Sequence, residues 1–431
     1  MCRGRERCVI ERMKESRRVI GALAALLLIA GVAATGKAEV TPEKPGKVLV
    51  LDDKPGAHWV WVGDLVLMRS ALFDADSTRM LGMLDGGYGV SGVYPRYSSK
   101  RHEIYVPEVV YSRGRRGKRI DLVSIYDATT LKLLADVEVP AKSADAAHGY
   151  ALAALLDDER FFAVFNQNPG SSVSIVDLES RSLVGEIDTP GCALVYPAGP
   201  RRFAMLCGDG KAMLVMLDKE GREAGRVRSA SFFDAKSNPV TEKGVRKGGS
   251  WFFATFDGHL HELDLSGKKP EPVEPWSLFT DAERNDGWRI GGSQHLAIHE
   301  AKGRLYSIVH KGGPGSHKEP GHEVWVYDLK KRERVQSIEV SNLLVPFVKA
   351  QITRGAESAE ESGSTRFMGM VAAWLLPNPG ADTIAVTQDD EPLLLLGHVE
   401  IGAVAVYDAM TGEHLRDLGG TGVTGGRVVV P

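Results

Sequence analysis

Several groups of residues in this chain have types and spacings that chemistry uses. His259 and His261 stand at alternate positions of one apolar run, and His295 and His299 lie close together in another. Alternate residues of a strand share a face, so such histidines can approach one metal ion. A protein metal centre, however, needs three or four converging ligands with supporting hydrogen bonds. Strand histidines paired this way ordinarily pack or hydrogen-bond, and no metal is assigned to them. Gly420-Thr421-Gly422-Val423-Thr424-Gly425 has G-x-G-x-x-G spacing. That motif holds a dinucleotide only when a helix follows, because the helix N-terminus binds the pyrophosphate. Here a short apolar run follows, so the segment reads as a loop. The sequence contains no G-x-S-x-G elbow, P-loop or C-x-x-C-H haem attachment.

Cys192 and Cys207 are fifteen residues apart, and Cys2 and Cys8 lie in the N-terminal segment. Two thiols without a C-x-x-C pair read as one structural bridge; a thiol nucleophile or a metal site is the rival reading. Closing a loop of that size contributes on the order of 3 kcal/mol in the chain-entropy model. Arg113, Arg115, Arg116, Lys118 and Arg119 place five positive charges in seven residues. They fall between two alternating runs, Glu103–Tyr111 and Ile120–Asp127, and so form a hairpin tip. That tip is either a solvated loop or a docking patch for an acidic or polar partner surface.

The elements that carry these groups follow from a repeat. An alternating apolar run ends in Asp, and polar or Gly residues follow before the next run. The runs end at Asp74, Asp127, Asp177, Asp218, Asp264, Asp328 and Asp408, with steps of 53, 50, 41, 46, 64 and 80 residues. An Asp at a strand end bonds its own following backbone in an Asx turn, which reverses the chain. A four-stranded propeller blade takes roughly 40–50 residues; the first four steps fit that, and the last two carry insertions. A lone blade cannot bury both faces, so blades stack radially. The expected fold is all-β: a seven-bladed β-propeller of four-stranded antiparallel blades over residues 39–431. The main insertion, about 341–367, holds the acidic stretch Glu357–Ser364 and is expected to be a mobile surface loop. Lys47–Leu51 and Arg427–Val430 are strand-like, and the ring is expected to close where these two ends meet.

The N-terminus reads as an export signal preceded by an extension. Residues 1–12 are expected to lie upstream of the true start at Met13. Met13–Arg18 is basic, Ile20–Ala34 is apolar, and Gly36-Lys37-Ala38 offers small residues for cleavage. A membrane anchor is the rival, but the run is short for a span of roughly 20 residues. Residues 1–38 hold eight Lys/Arg against three Asp/Glu, a net of +5, which leaves −8 for the rest of a chain whose total is −3. An acidic exported chain is not a nucleic-acid binder.

Four segments then make a resemblance specific. Asp281–Gly292, with Asp286-Gly287-Trp288-Arg289-Ile290-Gly291-Gly292, resembles the D-G-W-R-x-G-G segment of methylamine dehydrogenase heavy subunits. Leu84-Asp85-Gly86-Gly87-Tyr88 is similar to that family's D-G-G-aromatic segment. Tyr111–Asp121 resembles its S-R-x-x-R-G-x-R-x-D loop. Thr387–Leu393 resembles its late-blade turn, and the Cys192–Cys207 spacing matches the heavy-subunit disulfide. The likeness spans about residues 47 to 426.

The resemblance implies the heavy subunit of a periplasmic quinoprotein amine dehydrogenase, in an α2β2 heterotetramer with a small Cys-rich light subunit. It implies that tryptophan tryptophylquinone sits on that light subunit, and that primary amines become aldehyde and ammonia. Electrons then pass to a cupredoxin or c-type cytochrome. It assigns no cofactor, metal or catalytic residue to this chain, whose seven tryptophans read as packing. Tyr88 corresponds to an aromatic gate over the substrate channel, where the family often has Phe. Arg113, Arg116 and Arg119 become the candidate docking loop. The acidic insertion departs from the family pattern. A stand-alone periplasmic propeller that binds a ligand or protein without redox chemistry is the alternative, and a propeller hydrolase would need a central metal cluster.

Overall fold

The seven Asp-terminated runs are third strands of seven blades, and each Asp makes the expected turn. Asp74, Asp127, Asp177, Asp218, Asp264, Asp328 and Asp408 each accept, through Oδ1, the backbone N–H two residues on, at 2.8–3.1 Å. The computed structural model describes residues 50–86, 94–114, 116–144, 149–353, 371, 375–424 and 428–430.

Blade 1 contains β1 (Trp59–Asp64), β2 (Arg69–Asp74) and β3 (Arg79–Asp85). Blade 2 contains β4 (Arg96–Ser98), β5 (Glu103–Tyr111), β6 (Arg119–Asp127) and β7 (Leu133–Val139). Blade 3 contains β8 (Ala153–Leu155), β9 (Phe161–Asn166), β10 (Ser172–Asp177) and β11 (Ser182–Asp188). Blade 4 contains β12 (Cys192–Pro197), β13 (Arg202–Cys207), β14 (Ala212–Leu217) and β15 (Glu223–Arg228). Blade 5 contains β16 (Val245–Lys247), β17 (Ser250–Ala254), β18 (His259–Asp264) and β19 (Glu271–Ser277). In blade 6 the inner strand is split into β20 (Trp288–Ile290) and β21 (Leu296–His299), both paired with β22 (Arg304–Lys311), followed by β23 (Glu323–Asp328) and β24 (Glu333–Glu339). Blade 7 contains β25 (Thr383–Val386), β26 (Leu393–His398), β27 (Ile401–Asp408) and β28 (His414–Gly419). The last strand, β29 (Val428–Val429), returns to blade 1 as its inner strand. Every pairing is antiparallel.

Alternating residues give each blade two apolar faces, and the core lies between blades. Seven apolar clusters of described residues occupy the seven junctions, for example Tyr105 and Val123 of blade 2 with Phe162 and Val176 of blade 3. Fully burying one such side chain is worth roughly 1.5–3 kcal/mol, so radial stacking dominates stability. The inner strands surround a central channel of about 490 Å³.

Ring closure differs from the sequence expectation in one respect. The C-terminal strand does close the ring, but its partner is β1, through Trp61↔Val429 and Val62↔Val428. Val50 and Leu51 are not strand; Leu51 is buried and donates its N–H to Thr129 O of blade 2 at 2.8 Å. The closing ladder is short, so side chains reinforce it. Gln294, ahead of β21, donates Nε2 to Ile384 O (2.8 Å) and to Val428 O (3.2 Å). Gln388, after β25, donates Nε2 to Ile298 O at 2.8 Å. The two amides thus clasp the inner strands of blades 6 and 7 from opposite ends.

The insertion is also more ordered at its start than expected. Leu344–Thr353 is a helix, and Leu344 and Phe347 pack on the blade 6–7 cluster. Apolar residues at helical spacing had a core within reach, so the segment is not a bare loop. The acidic stretch 357–364 lies outside the described residues.

Candidate functional site

Antiparallel alternation sorts the connections onto two faces. The Asx turns join third to fourth strands and lie on one face. The hairpins joining second to third strands lie on the other, together with the links from one blade to the next. That second face gathers nearly every segment singled out above, and it is the candidate site.

The basic hairpin joins β5 to β6 there. Ser112 N donates to Lys118 O at 3.0 Å and Arg113 N to Arg116 O at 2.9 Å. Gly117 has φ +101, and a Cβ there would meet Ser112 Oγ at 2.4 Å, so the tight tip requires glycine. Arg113, Arg116 and Lys118 are exposed. Arg119 is different. Its guanidinium is bidentate to Asp121, with Nε–Oδ1 at 2.7 Å and Nη2–Oδ2 at 2.8 Å, and it also donates to Ser143 O at 2.8 Å. Asp121 is 1% exposed. Arg119 therefore anchors the hairpin base to the blade 2–3 link, while Arg113 and Arg116 form the free tip. Arg115 lies outside the described residues.

Cys192 opens β12 and Cys207 closes β13 in direct register, and they form a disulfide with a Cα–Cα distance of 3.9 Å. Both are buried in the blade 3–4 cluster beside Val195, Phe203 and Met205. The bridge staples the rim of the hairpin Cys207–Ala212 to the blade 3–4 link.

The Asp281–Gly292 segment makes the blade 5–6 link. Thr280 and Glu283 form a reciprocal capping box on the short helix Asp281–Asn285. Gly291 and Gly292 let the inner strand break: added Cβ atoms would meet Glu319 O at 2.5 Å and Asp382 O at 2.6 Å. Trp288 packs against Trp325, ring centroids 4.8 Å apart, with Lys311 Nζ 5.2 Å from its ring. Trp325 donates to Glu323 and Trp251 to Pro197 O, both at 2.8 Å, so these indoles are engaged in packing and hydrogen bonds.

The Gly420 segment is a loop, as expected, and it does structural work. Asp64, at the end of β1, is 1% exposed. It accepts Val66 N and Leu67 N (2.9 Å each), Val423 N (2.7 Å) and Thr424 Oγ1 (3.0 Å). Burial acts to raise the Asp64 pKa, but these donors outweigh it and hold the carboxyl below its ordinary range. The network pins the β1–β2 turn to the closing segment and leaves Val66, Leu67 and Val423 exposed at 55%, 45% and 45%. Sequence reading missed this apolar group, because its residues are some 360 positions apart. Gly425 and Tyr88 lie outside the described residues; Gly86 N, just before the latter, bonds Met68 O at 2.8 Å.

Two further features line cavities. Arg96, buried in the channel wall, donates to Tyr94 O, Tyr150 O and Ala153 O, with the Tyr150 ring 3.2 Å from its Cζ. Burial lowers its pKa. His259 and His261 line an open groove of about 720 Å³ between blades 4 and 5. Burial, and then His259, pushes the His261 imidazole down to about 4. His295 instead bonds Thr241 Oγ1 at 3.0 Å, and His299 bonds Asp389 O at 2.9 Å. Among the described residues no three His, Cys, Asp or Glu converge on a metal position.

Comparison with known proteins decides which family the chain belongs to. The family model for methylamine dehydrogenase heavy chain (MADH) matches residues 54–351. The chain belongs to the methylamine dehydrogenase heavy chain family. The heavy chain of Paracoccus versutus is 27% identical over 371 residues, covering 84% of this chain and 77% of that one. The heavy chain of Methylobacillus flagellatus is 26% identical over 417 residues, covering 92% and 94%. Among solved structures, a functionally unknown protein from Desulfotomaculum acetoxidans aligns with TM-score 0.54 at 12% identity, covering 86% of this chain and 98% of that one. At that identity it speaks for the fold alone. The matched stretch includes the basic hairpin, the disulfide, the Trp288 segment and the β1–β2 turn.

Proposed function

We propose that this chain is the heavy subunit of a periplasmic amine dehydrogenase, and that it docks a small Cys-rich light subunit through the face carrying its interblade links. The observation that carries the reading is the family match over residues 54–351. The cofactor, tryptophan tryptophylquinone on the light subunit, supplies the oxidation of a primary amine to aldehyde and ammonia.

This chain's own part is to bind, position and shield. Arg113 and Arg116 offer exposed positive charge that steers an acidic or polar partner surface. Val66, Leu67 and Val423, whose backbone N–H groups Asp64 holds, offer an apolar contact on the same face. Tyr88 serves as the gate over the substrate path, its bulk excluding water and large amines. Electrons leave the assembled α2β2 enzyme to a cupredoxin or c-type cytochrome. Residues 1–38 act as an upstream extension and cleaved export signal, and the Cys192–Cys207 disulfide suits an oxidising compartment.

Affinity capture of the tagged chain from its native host tests this. The expected result is co-purification of a small Cys-rich, Trp-containing polypeptide in equal amount, with visible quinone absorbance. Capture of the chain alone, colourless, from cells oxidising amines would overturn the reading.

A further inference from the structure

Of the paired histidines, His295 and His299 are satisfied by hydrogen bonds, whereas His259 and His261 are not. The two stand at alternate positions of β18 and therefore project from one face. That face is turned toward blade 4: Leu263, next along it, packs in the cluster shared with Leu214 and Ala204, while Leu260, on the opposite face, packs with blade 6. Both imidazoles enter the same groove, walled by Phe232 and Phe233 of the blade 4–5 link.

His261 is 8% exposed, yet among the described residues its ring makes no hydrogen bond. Its recorded ring contact is edge-on with Phe232, centroids 5.9 Å apart. His259 Nδ1 is buried without a partner. A buried polar atom left this way is rare. The neighbouring carboxylates do not answer the two imidazoles. Asp209 pairs with Arg228 at 2.7 Å, and Asp234 accepts the backbone N–H groups of Lys236 and Ser237 at 2.8 and 3.0 Å. Two imidazoles thus share one groove, and among the described residues no donor engages their lone pairs.

We propose that His259 and His261 form a two-histidine site for a divalent late-transition metal, copper(II) most tightly and zinc or nickel less so. Imidazole nitrogen suits these metals, and affinity along the series peaks at copper. Alternate strand positions are roughly 6.5 Å apart along the strand, within the span of two imidazoles leaning onto one ion. No third protein ligand joins them among the described residues, so water fills the remaining positions and the groove leaves the metal open to a small ligand. The groove is walled by the blade 4–5 link, on the same face as the proposed docking residues, and includes none of them.

The test is titration of the metal-stripped full chain with copper(II), followed by calorimetry and electron paramagnetic resonance. The expected result is one equivalent bound with hyperfine coupling to two imidazole nitrogens. His259→Gln and His261→Phe are each expected to lose one coupled nitrogen and weaken binding, and the double variant to lose the equivalent. His261→Phe keeps a ring against Phe232. Should it nevertheless fail to fold, His259→Gln, at a partly exposed position, carries the same readout. Comparing wild type with variant subtracts every other histidine. Survival of the equivalent in the double variant, or no difference between wild type and double variant, would overturn the site and leave the pair as packing around Phe232.

Discussion

His58 Nε2 lies 3.0 Å from Asp389 Oδ2, joining residues 331 positions apart. The same imidazole bonds Asp76 Oδ2 through Nδ1 at 2.7 Å, and Arg416 of blade 7 reaches back to Asp76 Oδ1 at 2.9 Å. Blades 1 and 7, which meet only because the ring closes, are thus clasped by alternating charges on the face opposite the basic hairpin.

This clasp makes stability depend on pH. Burial acts to lower the His58 pKa, but the hydrogen bonds and charges of Asp76 and Asp389 outweigh it and raise it above the ordinary 6.5. A group whose pKa folding raises contributes stability that is full below the unfolded value and lost as pH rises through the folded one. Asp76 and Asp389 are lowered despite burial, so their contribution is present above the ordinary carboxylate range and lost in acid. The clasp is therefore strongest in mildly acid solution. The melting-temperature difference between wild type and His58→Gln is expected to be larger near pH 6 than near pH 9. Equal differences at the two values would contradict it.

A second prediction concerns Asp64. Asp64→Ala strands the donors that hold the closing segment, at a cost of about 1–3 kcal/mol. The denaturation midpoint should fall, and proteolysis should begin near Val423. Asp64→Asn keeps one carbonyl acceptor and should be intermediate. An Asp64→Ala protein with unchanged midpoint and cleavage pattern would show that the ladder alone closes the ring.

The basic hairpin separates into two roles that substitution can tell apart. Arg113→Glu with Arg116→Glu should slow association with the light subunit and flatten its salt dependence, leaving the melting temperature unchanged. Arg119→Ala should instead cost stability, up to about 3 kcal/mol, because Asp121 stays buried without its charge partner. Normal association kinetics in the double variant would remove these arginines from the docking surface.

Much of the fold was legible because its signals are local. An Asp ending an alternating run makes the same Asx turn wherever it occurs, so seven blades could be counted from Asp74 to Asp408. The disulfide was legible because only Cys192 and Cys207 remain beyond the N-terminal segment. What stayed hidden depends on closure of the ring. The partner of β29 is β1, and Val50 and Leu51 are not strand; Asp64 with Val423, His58 with Asp389, and Gln294 with Val428 meet only in three dimensions. The helix Leu344–Thr353 was masked by the acidic stretch after it, whose composition dominated the reading. Arg119 looked like its neighbours in a charge run, and only the buried Asp121 distinguishes it.

For Tyr88, the prediction rests on the family resemblance of the Asp85-Gly86-Gly87-Tyr88 segment. Tyr88→Ala should widen the substrate path without touching the cofactor's chemistry. The ratio of kcat/KM for bulky over small amines is expected to shift by about tenfold or more, with the visible spectrum of the assembled enzyme unchanged. An unaltered ratio would reduce Tyr88 to packing.

As proposed, this propeller is the heavy partner of an amine dehydrogenase, and the amine-oxidising cofactor lies on the light subunit. Amine-dependent dye reduction measures it most directly, with the purified single chain and the light-subunit complex assayed side by side. Turnover is expected from the complex and none from the chain, which should show no quinone absorbance. Dye reduction by the single chain, or a complex that forms yet oxidises no primary amine, would contradict it.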